Sequence, residues 1–267
     1  MWLASVSWWR VTERIDILGV RVSAIDMETA LDTVDHWVRR RERRYICVTG
    51  VHGIMESQRD ARLKDIHNRA GLVTPDGMPL VWISHMMGFK QVARVYGPDL
   101  MLAVCKRSGT AGYRHFFFGG APGVAETLVT VIRKRFPGIR IAGAFSPSFQ
   151  PLLPDEIERA VRIINAACAD IVWVGFGTPK QEQWMDSAVG LVNAPVLIGC
   201  GAAFDFLSGT KPQAPRWMQR SGLEWTFRLM TEPRRLWRRY LIGNSKFVWL
   251  MFLQALARRR PSLNTGS

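Results

Sequence analysis

The sequence predicts an α/β fold, a mostly parallel sheet with helices on both faces. Three observations carry that expectation. Short runs rich in β-branched and aromatic residues alternate with longer stretches of helical period, Gly or Pro marks the joints, and the apolar runs lack the polar alternation of a half-solvated strand. The 267 residues suit one large domain or two small ones, and 48% apolar with 22% charged residues excludes disorder as the default state.

In chain order, residues 15–22 predict a peripheral strand or hairpin and residues 26–39 a first helix with Asp26 as its N-cap. Strands are expected at 45–49, 72–73, 115–118, 139–143, 171–174 and 196–198. Helices are expected at 54–69, 124–135, 154–167 and 180–192. Repeated strand–helix alternation of this kind is Rossmann-like, and we assign it to residues 1–214. No internal repeat is present.

Residues 215–267 have a different character, that of a basic, aromatic-rich, membrane-proximal appendage. Between Pro215 and Arg260 eleven basic residues accompany two acidic ones, Glu224 and Glu232, and Trp217, Trp225, Trp237 and Trp249 are interleaved with them. Bulky aromatics on a merely solvated face are costly. The segment therefore predicts an arginine-lined appendage over an anion site, or interfacial helices on anionic lipid, and both can hold at once. The net charge of +14 calls for an anionic partner: nucleic acid, nucleotide phosphate or anionic lipid. The longest apolar run, residues 247–257, falls short of the roughly 18–20 residues of a spanning helix. Residues 1–10 lack the basic start and long apolar run of a signal peptide. A soluble or peripheral protein is expected. Cys47, Cys105, Cys168 and Cys200 are widely spaced beside apolar neighbours and read as buried thiols of a reducing compartment, not zinc ligands.

Ligands of an open parallel sheet bind beyond the carboxyl ends of its strands, so the residues just after each strand are the candidates. Thr49-Gly50-Val51-His52-Gly53 offers a hydroxyl for a sugar or phosphate oxygen, or serves as a structural turn. Thr74-Pro75-Asp76-Gly77-Met78-Pro79 makes a stiff loop in which Asp76 is either a general base or the cap of its own turn. Gly119-Gly120-Ala121-Pro122-Gly123 leads into a helix whose N–H groups and dipole suit a diphosphate. With neither a Walker motif nor a full G-x-G-x-x-G, an NTPase and a nicotinamide dehydrogenase are set aside. At Gly177-Thr178-Pro179-Lys180-Gln181-Glu182, Thr178 as N-cap, Pro179 at N1 and Gln181 at N3 predict a capping box, which leaves Lys180 and Glu182 without a role. Asp205 reads as a hydrogen-bonded structural carboxylate in apolar surroundings. No D-x-D occurs, so no metal-bridged nucleotide-sugar site is expected; arginines and helix N-termini then have to stabilise a diphosphate leaving group.

Taken together these junctions resemble the bacterial WecG/TagA/CpsF glycosyltransferases, glycosyltransferase family 26, from about residue 15 to about residue 240. The resemblance rests on Thr74-Pro75-Asp76-Gly77, Arg94-Val95-Tyr96-Gly97-Pro98-Asp99-Leu100, Phe118-Gly119-Gly120-Ala121-Pro122-Gly123, Gly175-Phe176-Gly177-Thr178-Pro179-Lys180-Gln181-Glu182, Gly201-Ala202-Ala203-Phe204-Asp205, and Leu223-Glu224-Trp225 followed by Arg228 and Glu232-Pro233. It implies an inverting, metal-independent enzyme without a cofactor. Such an enzyme moves a hexose or N-acetylhexosamine, glucose or N-acetylmannosamine, from a UDP-sugar to a polyprenyl-diphosphate-linked saccharide of an exopolysaccharide or cell-surface polysaccharide. It would sit on the anionic cytoplasmic face of the bacterial plasma membrane, and a homo-oligomer is compatible with it.

The same resemblance puts the base on Asp76, substrate-pocket roles on Thr49 and Gln181, and the donor diphosphate under Arg228, Arg235 and Arg238. Gly119, Gly120 and Gly177 supply the backbone donors at helix N-termini. One departure stands out: family members carry Asn two residues after the threonine, where this chain has Val51 followed by His52. The alternative, a basic nucleic-acid-binding protein without catalysis, lacks any helix-turn-helix, zinc-finger or RNP-like signature. A non-catalytic membrane scaffold leaves the glycine-rich junctions unexplained.

Overall fold

The computed structural model describes residues 12–147 and 154–259; the readings of residues 1–10 and of Arg260 lie outside them. β1 (Arg14–Ile17) and β2 (Val20–Ser23) form the expected hairpin. α1 (Met27–Arg40) begins at Asp26, whose carboxylate accepts the Thr29 N–H. The main sheet holds β3 (Arg44–Thr49), β4 (Leu72–Pro75), β5 (Arg114–Gly119), β6 (Arg140–Phe145), β7 (Ile171–Gly175) and β8 (Val196–Gly199). Their order is β4-β3-β8-β7-β5-β6, with every pairing parallel.

Successive strand residues alternate between two cores. Tyr45, Cys47, Val73, Phe116 and Phe118 pack on one side and Ile46, Leu72, Phe117, Trp173 and Ile198 on the other. Both faces are therefore apolar, which is why the strand sequences show no alternation of polarity.

Helices follow the strands with three departures from expectation. The segment 54–69 is two helices, α2 (Val51–Ser57) and α3 (Ala61–Arg69), because Asp60 accepts from the N–H groups of Arg62 and Leu63 and starts a new helix. α4 (Met78–Met86) and α5 (Gly97–Ala111) grow directly out of the Asp76 and Arg94 segments, each with proline in its first turn, where the missing N–H costs nothing. α6 (Val124–Arg135), α7 (Pro154–Ala166), α8 (Lys180–Ala188) and α9 (Gly201–Leu207) complete the alternation, α8 ending earlier than expected.

Beyond residue 214 come α10 (Arg216–Arg220), α11 (Glu224–Thr231) and α12 (Pro233–Trp237). A π-helical turn, Arg238–Ile242, then joins α12 to α13 (Gly243–Arg259) without a break in helical backbone. α13 docks on the rest of the fold: Phe247 is buried in the core shared with α2, and Gln254 accepts from Leu18 N–H at 3.0 Å and donates to Asp16 Oδ1 at 2.7 Å. Among the described residues no helix is long and apolar enough to cross a membrane. Cys47, Cys105 and Cys200 are buried as expected, but Cys168 is exposed, in the turn between α7 and β7 with φ of 51°.

Candidate active site

The loops after β3, β4, β5, β7 and β8 open into one cleft of about 1290 Å³, lined by Gly50, Asp76, Gly120, Gly177 and Cys200. The carboxyl-end rule therefore brings every chosen junction to one place. The opposite wall comes from the appendage, which contributes Arg228, Arg235, Arg238 and Arg239.

Asp76 is partly buried on the cleft floor and held from several directions. Its N–H donates to Thr49 O at 3.0 Å, extending the β3–β4 ladder, and Arg94 Nε donates to its carbonyl. Oδ1 accepts the Gly97 N–H at 2.9 Å, while Oδ2 faces Gly50, where even a Cβ would approach to 3.8 Å. Among the described residues no ion pair neutralises this carboxylate. Burial raises its pKa above the ordinary carboxylate value, nearby Glu224 adds to the rise, and Arg94 and the Gly97 N–H oppose it. One oxygen is fixed, the other is open to the cleft, and the basicity is enhanced; a positioned general base needs all three.

Several cationic groups around the cleft are already paired. Arg94 meets Glu224 at 2.5 Å, Lys211 meets Asp205 at 2.7 Å, Arg59 meets Glu56 at 2.8 Å, and Arg235 is bidentate to Glu232 at 2.6 Å. Asp205 is thus an ion-pair partner and its surroundings are not apolar. Arg228, Arg238 and Arg239 have no carboxylate partner among the described residues. The Nε atoms of Arg228 and Arg239 are buried without any hydrogen-bond partner. Burial, with Arg228 and Arg235 close by, lowers the Arg239 pKa to about 10, which leaves it charged at neutral pH. His52 lines the same cleft; burial and the field of Arg239 and Arg228 push its pKa down to about 3, so it is a neutral imidazole. Buried, unpaired guanidinium groups are costly unless an anion satisfies them.

The remaining expected residues divide by location. Gly120 lines the cleft, and Gly119 does not. At Gly119, with φ of 115°, a Cβ would lie 2.9 Å from the Gly175 backbone, so this glycine permits the close β5–β7 approach that lets Gly120 N–H reach Gly175 O. Thr49 is buried behind the wall, with its hydroxyl 3.1 Å from His67 Nε2, itself bonded through Nδ1 to Ser57, and it does not face the cleft. Gln181 does line it, but the capping box is absent: α8 starts at Lys180, and Gln181 Oε1 instead accepts from Gly177 N–H at 3.1 Å and Gly201 N–H at 2.9 Å. Two loops whose N–H groups would otherwise go unpaired recruit the amide. Glu182, fully buried, receives Thr178 Oγ1 at 2.9 Å and Gln181 Nε2 at 3.0 Å. Arg235 and Arg238 reach the cleft, the first held by Glu232 and the second over the Trp237 ring.

Three residues had no role in the sequence reading: Arg94, Glu224 and Arg239. The first two lie in quoted motifs, and Arg239 is hidden among adjacent arginines; the π-helical turn that buries it has no sequence signal. Arg94 also donates to Gln219 O at 3.1 Å and lies over the Tyr96 ring, so it ties the Asp76 loop to the appendage.

The family model described as Glycosyl transferase WecG/TagA/CpsF family matches residues 15–261. Two curated relatives carry the name N-acetylglucosaminyldiphosphoundecaprenol N-acetyl-beta-D-mannosaminyltransferase. The one from Bacillus spizizenii is 32% identical over 206 residues, 77% of this chain and 77% of the relative. The one from Bacillus subtilis is 32% identical over 177 residues, 66% of this chain and 67% of the relative.

Proposed function

The chain belongs to the WecG/TagA/CpsF glycosyltransferase family, and from that premise we propose that it transfers a sugar from a UDP donor to a polyprenyl-diphosphate-linked saccharide with inversion and without a metal ion. N-acetylmannosamine, present in the names of both relatives, is the leading sugar. Glucose is its competitor, because Val51, followed by His52, stands where family members carry Asn two residues after Thr49. One observation carries the reading: among the described residues Asp76 is the single cleft carboxylate without an ion-pair partner, and it shares the cavity with Arg228, Arg238 and Arg239, which have none either.

In this reaction Asp76 Oδ2 takes the proton of the acceptor hydroxyl as its oxygen attacks the anomeric carbon. The bond from that carbon to the diphosphate breaks, and its electron pair leaves with UDP. Charge grows on the departing phosphate, and the guanidinium groups, immobilised before the reaction starts, stabilise it without reorganising. Arginines in this role replace the divalent cation of D-x-D enzymes.

Incubation with a panel of UDP-sugars and a polyprenyl-diphosphate N-acetylglucosamine acceptor, with and without chelator, tests the reading. Transfer is expected to be insensitive to chelator and to fall about 10²-fold or more in Asp76→Asn. Near-normal turnover by that variant ends the base assignment, and loss of activity with chelator ends metal independence.

A further inference from the structure

The cleft continues away from Asp76 as an apolar trough between two helices. On α4 the lining residues are Met78, Pro79, Trp82, Ile83 and Met86; on α13 they are Gly243, Asn244, Phe247, Val248 and Met251. Both sets follow the spacing i, i+1, i+4, i+5, i+8, which is one face of an α-helix, so each helix offers a continuous stripe. Both helices start at the reaction site: α4 two residues after Asp76, and α13 directly after the turn that holds Arg239. Beyond the two stripes, the Arg258 guanidinium of α13 reaches Met87 Sδ, just past the end of α4, at 3.6 Å. At 1.5 Å per residue the trough is about 12 Å long.

We infer that this trough holds the polyprenyl chain of the acceptor, its glycosyl diphosphate toward the polar cleft and its first isoprenoid units between α4 and α13. This subsite deepens the transferase reading above and rests on it. Continuity with the polar cleft selects the occupant, because a ligand filling both parts must be anionic at one end and hydrocarbon at the other. The apolar end is open: Met86 is 79% and Val248 67% exposed, surfaces that a soluble chain would otherwise leave in water. Trp82, in the middle of the α4 stripe and itself partly exposed, packs so tightly on Gly222 that any Cβ there would collide with its indole. α13 also exposes Trp249 and Phe252 outside the lining, so an effect of the trough is separable from an effect of the helix surface.

The test is equilibrium binding, in detergent micelles and without donor, of a fluorescent long-chain polyprenyl diphosphate compared with a chain-free glycosyl diphosphate. Met86→Glu and Val248→Glu, at exposed positions where folding tolerates a carboxylate, are expected to weaken the long-chain probe tenfold or more relative to the chain-free one. Trp249→Glu, 59% exposed and off the trough, is expected to leave that ratio in place. An unchanged ratio in both trough variants, or an equal loss in Trp249→Glu, overturns the subsite even if the enzyme transfers sugar normally. Conversely, the expected loss of chain binding in an enzyme that accepts no UDP-sugar upholds the subsite and rejects the transferase reading.

Discussion

At the scale of single residues, Asp76 is the base of the proposed reaction, and its environment makes a signed prediction. A carboxyl group whose folded pKa lies above its unfolded value, about 3.9, binds its proton more tightly in the native state. The native state therefore loses stability as pH rises through that window, and turnover that needs the ionised base falls as pH drops through the raised pKa. The acid limb of kcat is thus expected above the ordinary carboxylate range. Asp76→Asn keeps the acceptor for the Gly97 N–H and removes the buried charge, so its melting temperature at pH 8 should be no lower than that of the parent while transfer is lost. A large drop in melting temperature would assign Asp76 to turn stability. This residue was legible because Asp-Gly between prolines is a local signal. Gln181 was legible as a residue but not in its role, since the N–H groups it receives come from Gly177 and from Gly201, twenty positions further on. A local capping rule has no access to that contact. Thr49 failed for a related reason: nothing local says which face of β3 carries a side chain toward the cleft and which toward His67.

At the scale of elements, the appendage is latched by one buried ion pair. Arg94 and Glu224 leave about 15% and 14% of their side chains exposed, and Tyr96 OH also donates to Glu224, at 3.1 Å. Removing one member strands the other charge, so Glu224→Ala is expected to cost about 3 kcal/mol in urea unfolding. Because Arg94 also holds the Asp76 carbonyl, kcat should fall in the same variant, whereas Glu158→Ala on the exposed face of α7 should change neither. α4 illustrates why some elements were missed. Its sequence is apolar almost all round, since one side packs in the core and the other lines the trough, so no amphipathic period marks it. α5 begins inside a motif that reads as a loop, with proline at its start.

At the scale of the whole molecule, the sheet and its two cores were legible from composition and alternation, but the strand order was not. β7 and β8 insert between β3 and β5, pairings that depend on contacts more than fifty residues apart. The site survived that ignorance, because ligands gather at the carboxyl edge whichever strands are neighbours. Part of the excess charge gathers at the same edge, where Arg228, Arg235, Arg238 and Arg239 line the cleft. A ligand that binds only the folded state raises its stability, so UDP should raise the melting temperature of the parent protein and raise that of Arg239→Gln far less. The ligand-free variant should melt no lower than the parent, since Arg239 sits beside Arg228 and Arg235 with its Nε buried and without a hydrogen-bond partner among the described residues. Equal UDP-induced shifts in both proteins would remove Arg239 from the anion site.

The opposite edge of the sheet offers something of another kind. Cys168 stands at the amino-terminal side of β7, in solvent, while burial raises the pKa of the other three thiols. The protein therefore comes with its own selective handle: a maleimide dye or a surface tether attached there leaves the mouth of the cleft facing outward and unobstructed, with no cysteine needing to be engineered away.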